Sequence, residues 1–312
     1  MPEMERRRFL KAIGGATAVA AARPGFAVRQ PSTFSVVGYL PWYRLKSWTT
    51  AQAGPLTDLV YFGVQPTTEG ELPADPIDRP TLETLRSLKR ATGCRLHLCV
   101  GGGHRSAGFP ALVEQGRRRR AFVRRLRDVC QRARFDGIDY DWEYPAGDAQ
   151  LSDYRRLIDE TRKSLGDRRR ITVAQSPWRD FGRGIYDVVD RVHVMSYNHK
   201  HPHARLTDAR ADIERMLTFG CPRNRLVLGV PFYGRNKRGR SRTYAEITRS
   251  DAFERDLDLV DGFAFNSRQT LQQKTRYARE EQLAGIMIWE VGQDALEWST
   301  SLLGAIGAEL EA

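Results

Sequence analysis

Two periodicities alternate along this chain of 312 residues. Eight short runs are almost continuously apolar and rich in β-branched residues: Phe34–Tyr39, Leu59–Phe62, Leu96–Val100, Gly137–Tyr140, Ile171–Ala174, Val192–Ser196, Leu226–Val230 and Gly285–Trp289. Strands covered on both faces read this way, because neither side meets water. Between them, apolar residues recur at helical spacing over Thr81–Thr92, Ala121–Ala133, Ser152–Leu165 and Thr207–Phe219. Strand and helix alternating eight times predict an α/β fold, a (β/α)8 TIM barrel, with an open doubly wound sheet as the competing arrangement. The stretch from Arg235 to Ala284 is longer than a connection requires. It predicts a small insertion between strands seven and eight, with a helix around Thr270 to Arg279.

The N-terminus breaks the pattern. Arg6-Arg7-Arg8-Phe9-Leu10-Lys11 precedes the weakly apolar stretch Ala12–Ala22, and small residues offer cleavage points near Ala22 or Ala27. This predicts a twin-arginine export signal over 1–27, a periplasmic or secreted location, and a catalytic barrel over 28–312. No later run is apolar enough over 18 residues to predict a membrane span.

Charge changes the picture only a little. The chain carries a net +12, and removing the five Lys/Arg and two Asp/Glu of residues 1–27 leaves +9. Much of the excess surrounds Phe122, Val123, Leu126 and Val129, where Arg117–Arg120, Arg124, Arg125 and Arg127 form the solvated face of an amphipathic helix. Attraction to an anionic wall polymer is the sharper alternative. Nothing in the pattern points to nucleic acid. Cys94, Cys99, Cys130 and Cys221 lack zinc-site spacing. Export would permit a disulfide, with Cys94–Cys130 at the barrel base as the pairing to test.

The chemistry concentrates in Asp136-Gly-Ile-Asp-Tyr-Asp-Trp-Glu-Tyr-Pro145. Side chains alternate faces along a strand, so Asp139, Asp141 and Glu143 share one direction, into the barrel. They climb in steps of roughly 6–7 Å, and Glu143 reaches the carboxyl-end mouth, where barrel enzymes hold their sites. Three inward carboxylates cannot all ionise cheaply, so at least one is kept protonated and can act as a proton donor. Glu143 is the natural donor. The spacing alone also admits enolisation chemistry, a Mg2+ or Ca2+ site, and an acidic cluster satisfied by arginines.

The acidic run resembles the signature of glycoside hydrolase family 18, the chitinase family. Four more segments in order carry the resemblance: Cys99-Val-Gly-Gly102, Met195-Ser-Tyr-Asn198, Leu226–Arg235, and Gly285–Glu290 followed by Asp294. The resemblance implies a retaining, substrate-assisted hydrolysis of β-1,4 N-acetylglucosamine linkages in chitin or its oligomers, without cofactor or metal. Glu143 would be the general acid/base, Asp141 would turn between Asp139 and the acetamide N–H, and Tyr197 would hydrogen-bond the acetamide. Trp289 would floor the sugar site, with Tyr39, Tyr144, Met195, Asn198, Tyr233 and Arg235 as further substrate contacts. Trp42, Trp178 and His104 are weaker candidates. Cys99 stands where serine is usual, Asn198 where aspartate is common, and Gly103 where many members carry tryptophan.

Other readings remain: an endo-β-N-acetylglucosaminidase acting on N-glycan or peptidoglycan-type substrates, a non-catalytic chitin-binding lectin on the same barrel, or a metal-dependent lyase or isomerase. The partner expected is an N-acetylglucosamine-containing poly- or oligosaccharide, and a monomer is expected.

Overall fold

The computed structural model describes residues 34–312, so the expected export signal over 1–27 lies outside the described residues. Seven strands arise in order: β1 (Ser35–Pro41), β2 (Asp58–Val64), β3 (Arg95–Gly101), β4 (Gly137–Asp141), β5 (Arg170–Gln175), β6 (Arg191–Val194) and β7 (Leu226–Pro231). Four short strands follow, β8 (Tyr233–Asn236), β9 (Ser241–Thr243), β10 (Leu259–Val260) and β11 (Phe263–Ala264), and then β12 (Gly285–Trp289). Strands β1–β7 and β12 close into one all-parallel barrel in which β12 joins β7 to β1. The helices are α1 (Arg79–Thr92), α2 (Phe109–Glu114), α3 (Gly116–Ala133), α4 (Gly147–Leu165), α5 (Arg183–Tyr186), α6 (Leu206–Thr218), α7 (Tyr244–Ile247), α8 (Arg268–Glu280) and α9 (Leu302–Glu311).

The period-two rule sorts the barrel strands into two packing layers. Val36, Leu59, Leu98, Ile138, Val173, Val192, Leu228 and Ile286 join the core beneath the helices. Their neighbours Val37, Val60, Phe62, Cys99, Ala174, Val227 and Met287 form a separate cluster inside the barrel. Both faces are dry, which is why the strands read as continuous apolar runs. Helix ends follow local chemistry. Asp78 caps α1 by accepting from the Thr81 N–H at 2.8 Å, and Gly93 ends it at φ 71°.

Three elements depart from expectation. The first crossover, between β1 and β2, has a single 3-10 turn at Thr50–Gln52 in place of an α-helix. The insertion between β7 and β12 is a four-stranded antiparallel sheet in the order β10-β11-β8-β9. The helix expected inside it, α8, belongs instead to the outer ring and packs against β7, β12, α6 and α9. Its buried Leu271, Lys274, Thr275 and Ala278 explain this, since that spacing is one helical stripe facing the strands. Helix α9 escaped the pattern because it is buried nearly all round and so lacks a polar face. The Cys94–Cys130 pairing does not form. None of the four cysteines is in a disulfide, and the Cys94 thiol donates to the Leu56 carbonyl at 3.2 Å.

An ion cluster closes the base of the barrel. Asp58, at the start of β2, accepts both arms of Arg95 at 2.7 and 3.0 Å, His97 Nε2 at 2.9 Å and Arg170 at 3.2 Å. The register brings these together, because Asp58 pairs with Arg95 and Gly137 lies between His97 and Arg170. A Cβ at Gly137 would sit 2.4 Å from the His97 ring, so the glycine of the acidic run makes room for the cluster. Burial alone would raise the Asp58 carboxyl; His97, Arg95 and Thr57 outweigh that and hold it far below its ordinary value. Its native pKa lies below its unfolded one, so its stabilisation is present above the unfolded pKa and is lost as pH falls. Asp58→Asn is expected to destabilise the protein by about 2–3 kcal/mol, read as a lower denaturant midpoint at unchanged slope. An unchanged midpoint would show that the cluster does not hold the base.

Candidate active site

A cavity of about 800 Å³ opens at the carboxyl ends of the barrel strands, and Asp141 and Glu143 line it. The acidic run along β4 and just past its end puts its three carboxylates in three different environments. Asp139, the deepest, has no exposed surface. It accepts from the Tyr39 hydroxyl at 2.7 Å and from Thr172, and His193 Nδ1 lies 3.3 Å away. Burial would raise its pKa, but His193, Thr172 and Tyr39 reverse this and keep the carboxyl below its ordinary value. Tyr39 also meets His193 Nδ1 at 2.9 Å, so a closed polar triangle holds the base of the column.

Asp141 is nearly as buried yet receives no such support. Its Oδ1 has no hydrogen-bond partner among the described residues. Burial first, then the charges of Glu143 and Asp139, push its pKa well above the ordinary carboxylate value. Glu143, just beyond β4, is partly exposed at the mouth; burial raises its pKa, while Tyr144 and His104 oppose that. Asp141 and Glu143 therefore retain a proton between them above the pH at which free carboxyls lose theirs.

Loop contacts fix the two upper acids. Ser106 donates to the Gly102 and Asp141 carbonyls at 3.2 Å each and accepts from the Glu143 N–H at 3.0 Å. The Gly102 N–H donates to the Asp141 carbonyl at 2.6 Å. Gly102 has φ 109°, and a Cβ there would lie 2.1 Å from the Phe62 ring of β2, while at Gly101, φ 101°, a Cβ would lie 2.3 Å from the Asp141 carbonyl oxygen, so only glycine at Gly101 lets the end of β3 pass so close to β4.

Aromatic side chains shape the walls. Trp289 lines the cavity and packs against Phe62 and Tyr39, with ring centroids 4.9 and 5.7 Å apart. Tyr197, Tyr144, Met195 and Asn198 line it as well. Burial raises the Tyr197 hydroxyl well above its ordinary pKa, so it stays a donor. The Tyr144 hydroxyl accepts from Ser176 at 2.6 Å. Trp42 and Trp178 stand at the mouth half exposed, at 53% and 50%, and are not core residues. At Gly103 a Cβ would meet only Glu143 Oε1, at 3.5 Å, leaving that wall open.

Tyr39 lines the cavity as expected, and two other expected contacts sit elsewhere. The Tyr39 hydroxyl is committed to Asp139 and His193 below the cavity. Tyr233 is absent from the lining and reaches it through Asn198, whose Oδ1 accepts its hydroxyl at 2.7 Å. Arg235 also lies outside the lining and donates to the Gly239 carbonyl at 3.4 Å. The sequence reading missed Thr172, His193 and Ser106. The first two lie on inward strand positions, so the alternation of faces along β5 and β6 could have flagged them as interior polar groups; Ser106 is a loop serine with no such signal. Among the described residues no group of three His, Cys, Asp or Glu is arranged to hold a metal ion, and arginine does not satisfy the deepest acid.

Asp141 makes stability fall with pH. Its native pKa exceeds its unfolded one, so between them the folded state holds a proton the unfolded chain has lost, and each rise in pH favours unfolding. Wild-type melting curves are expected to show this as a slope of up to about 1.4 kcal/mol per pH unit over part of the range. Asp141→Asn should flatten it, and an identical slope in the variant would refute the assignment.

Residues 35–294 match the model for Glycosyl hydrolases family 18. Probable chitinase 2 of Drosophila melanogaster is 24% identical over 284 residues, covering 68% of this chain and 59% of that one. The Endochitinase of Manduca sexta is 28% identical over 197 residues, covering 51% of this chain and 35% of that one. The chain thus spans about half the length of the curated relatives it matches. The crystal structure of the chitinase ChiB from the chitin utilization locus of Flavobacterium johnsoniae superposes with a TM-score of 0.77 at 25% identity, over 88% of this chain and 93% of that one. A Cycas revoluta class V chitinase mutant in complex with (GlcNAc)3 superposes with a TM-score of 0.75 at 22% identity, over 88% of this chain and 99% of that one. With the barrel and the acidic column in place, the family match over most of its length identifies the chain as a member of glycosyl hydrolase family 18.

Proposed function

We propose that this chain is a retaining glycosidase that cleaves β-1,4 bonds in chitin or its oligomers, with the 2-acetamido group of the substrate as nucleophile. The observation that carries the reading is the graded acidic column: a supported carboxylate at Asp139, an unsupported one at Asp141 and a raised, accessible acid at Glu143. A raised acid at a mouth can protonate a leaving oxygen, and as a carboxylate it can then activate water. No second carboxylate is needed as nucleophile when the substrate's amide carbonyl attacks its own anomeric carbon. That attack requires an acceptor for the amide N–H and a donor for its oxygen. Asp141 and Tyr197 line the same cavity and supply one of each. With the proton that the two acids share placed on Glu143 for the leaving oxygen, Asp141 is a carboxylate that stabilises the positive charge developing on the ring. Trp289 offers the apolar floor a sugar face stacks on. The family membership and the (GlcNAc)3 complex of the Cycas revoluta relative support the substrate class. Export by the twin-arginine route, suggested by residues 6–11, would bring the protein to an extracellular polymer.

Glu143→Gln is expected to lower release of a chromogenic group from a chitotriose glycoside by about 10³-fold while (GlcNAc)3 still binds. Equal inactivity of wild type and variant, with sugar binding intact, would instead establish a binding module. The raised acid predicts activity that persists through mildly acidic pH and declines on the alkaline side as Glu143 loses its proton. NMR of the first product should show the β-anomer, and the α-anomer would exclude substrate assistance.

A further inference from the structure

Behind the cavity wall lies an ionisable group that the proposed chemistry does not use. Lys274, on the inner face of α8, has no exposed surface. No ion pair of Lys274 occurs among the described residues. Its Nζ donates to the Ala204 carbonyl at 2.6 Å and to Asn266 Oδ1 at 2.8 Å. Asn266 closes the triangle by donating its Nδ2–H to the same Ala204 carbonyl at 2.8 Å. An amine buried without a carboxylate partner is costly, and an apolar side chain of similar volume would serve packing better.

What the amine holds is the segment that follows β6. This segment carries Tyr197 and Asn198 into the cavity and runs on to Ala204. Its backbone takes left-handed conformations at both ends, φ 63° at Asn198, which asparagine tolerates, and φ 58° at Ala204, which alanine keeps only under external constraint. The near end is tied to α6, where Asp212 accepts from Ser196 at 2.7 Å and meets His199 at 2.8 Å. The far end is tied by Lys274 and Asn266. Beside Ala204, the His203 ring stacks on Tyr233 at 5.5 Å and 26°. The Tyr233 ring meets the edge of Tyr197 at 6.3 Å, and its hydroxyl donates to Asn198 at 2.7 Å. A continuous chain of contacts thus runs from the amine to two cavity-lining side chains.

We propose that Lys274 is a positioning residue, whose buried amine pins the Ala204 carbonyl and so sets the cavity wall that presents Tyr197 and Asn198 to the substrate. This rests on the reading of Tyr197 as an acetamide donor. The titration of the group agrees with the geometry. Burial lowers the Lys274 pKa to about 7, against the opposing charges of Asp258, Asp208 and Asp212. His203, the other titratable group at this end of the segment, is itself pulled down to about 4 by burial and by Lys274. A neutral amine has two N–H groups, and two acceptors meet them. Because the native pKa lies below the unfolded one, the unfolded chain holds a proton the folded chain lacks between the two, and stability rises with pH there. Below about pH 7 the folded protein carries the full cost of the buried charge.

Lys274→Met separates positioning from packing. Three readouts are compared with wild type: kcat and KM on a chromogenic chitotriose glycoside, amide hydrogen exchange of residues 198–205, and melting temperature at pH 6. The expected result is a kcat lower by roughly ten- to a hundredfold, with KM within about threefold. Exchange should accelerate in 198–205 alone, and melting should be no lower. Asn266→Leu, which removes the other donor to Ala204, should accelerate exchange in the same segment. Unchanged exchange there in both variants overturns the proposal, as does unchanged kcat in an active enzyme. Global loosening with a lower melting temperature in both variants also overturns it, since it marks an ordinary core residue. If wild type itself hydrolyses nothing, the functional reading fails and with it the catalytic consequence, while the exchange data still decide whether Lys274 pins the wall.

Discussion

Three carboxylates at alternate positions along β4 and just past its end, at the mouth of a closed barrel, are the constraint to which the rest of the site answers. Like charges a few ångströms apart in a dry interior cannot all be ionised. The structure resolves this by depth. Asp139 is ionised because Tyr39, Thr172 and His193 surround it with polar partners. Asp141, directly above, is left with an orphan oxygen. Glu143 escapes partly into the mouth. The neighbours of the column follow from this division: three strands lend polar side chains where apolar ones would otherwise fill the barrel, and Gly101 lets β3 close against β4.

Two buried aspartates show how the barrel divides its work. Asp58 and Asp141 are exposed to a similar small extent, 2% and 3%, yet their pKa values move in opposite directions. At the base, two arginines and a histidine converge on one carboxylate, and the result is stability. Below the mouth, the charges that act on Asp141 are those of other acids, and the result is a proton held beside the cavity. The native state bears that second arrangement as a stability cost, in keeping with the trade between stability and activity at reactive sites. The buried amine of Lys274 belongs to the same pattern: a polar group placed where an apolar one would be safer, behind a wall of the cavity.

Much of this was legible in the chain itself. Hydrophobic periodicity identified all eight barrel strands, because a strand dry on both faces leaves an apolar run that no polar face interrupts. The parity of Asp139, Asp141 and Glu143 is a property of extended backbone, so their common direction follows from spacing alone. The order of the five family-like segments then specified the family to expect, and the family match agrees with it.

Tertiary structure decided everything that depends on which strands become neighbours. Thr172 and His193 support Asp139 only because β5 and β6 bring them to its level, a register that local patterns do not encode. The opposite titration of Asp58 and Asp141 is a matter of partners distant in sequence, Arg95 and Arg170 for one and none for an oxygen of the other. Helix α9 was hidden because burial on all sides erases amphipathic periodicity, and α8 was misassigned because a helical stripe does not say what it packs against. The acid at Glu143 was therefore determined by the sequence, since one strand carries the whole pattern. Its pKa, its walls and the buried amine behind them were set by the closed barrel, because each arises from long-range contacts that exist only once the chain has folded.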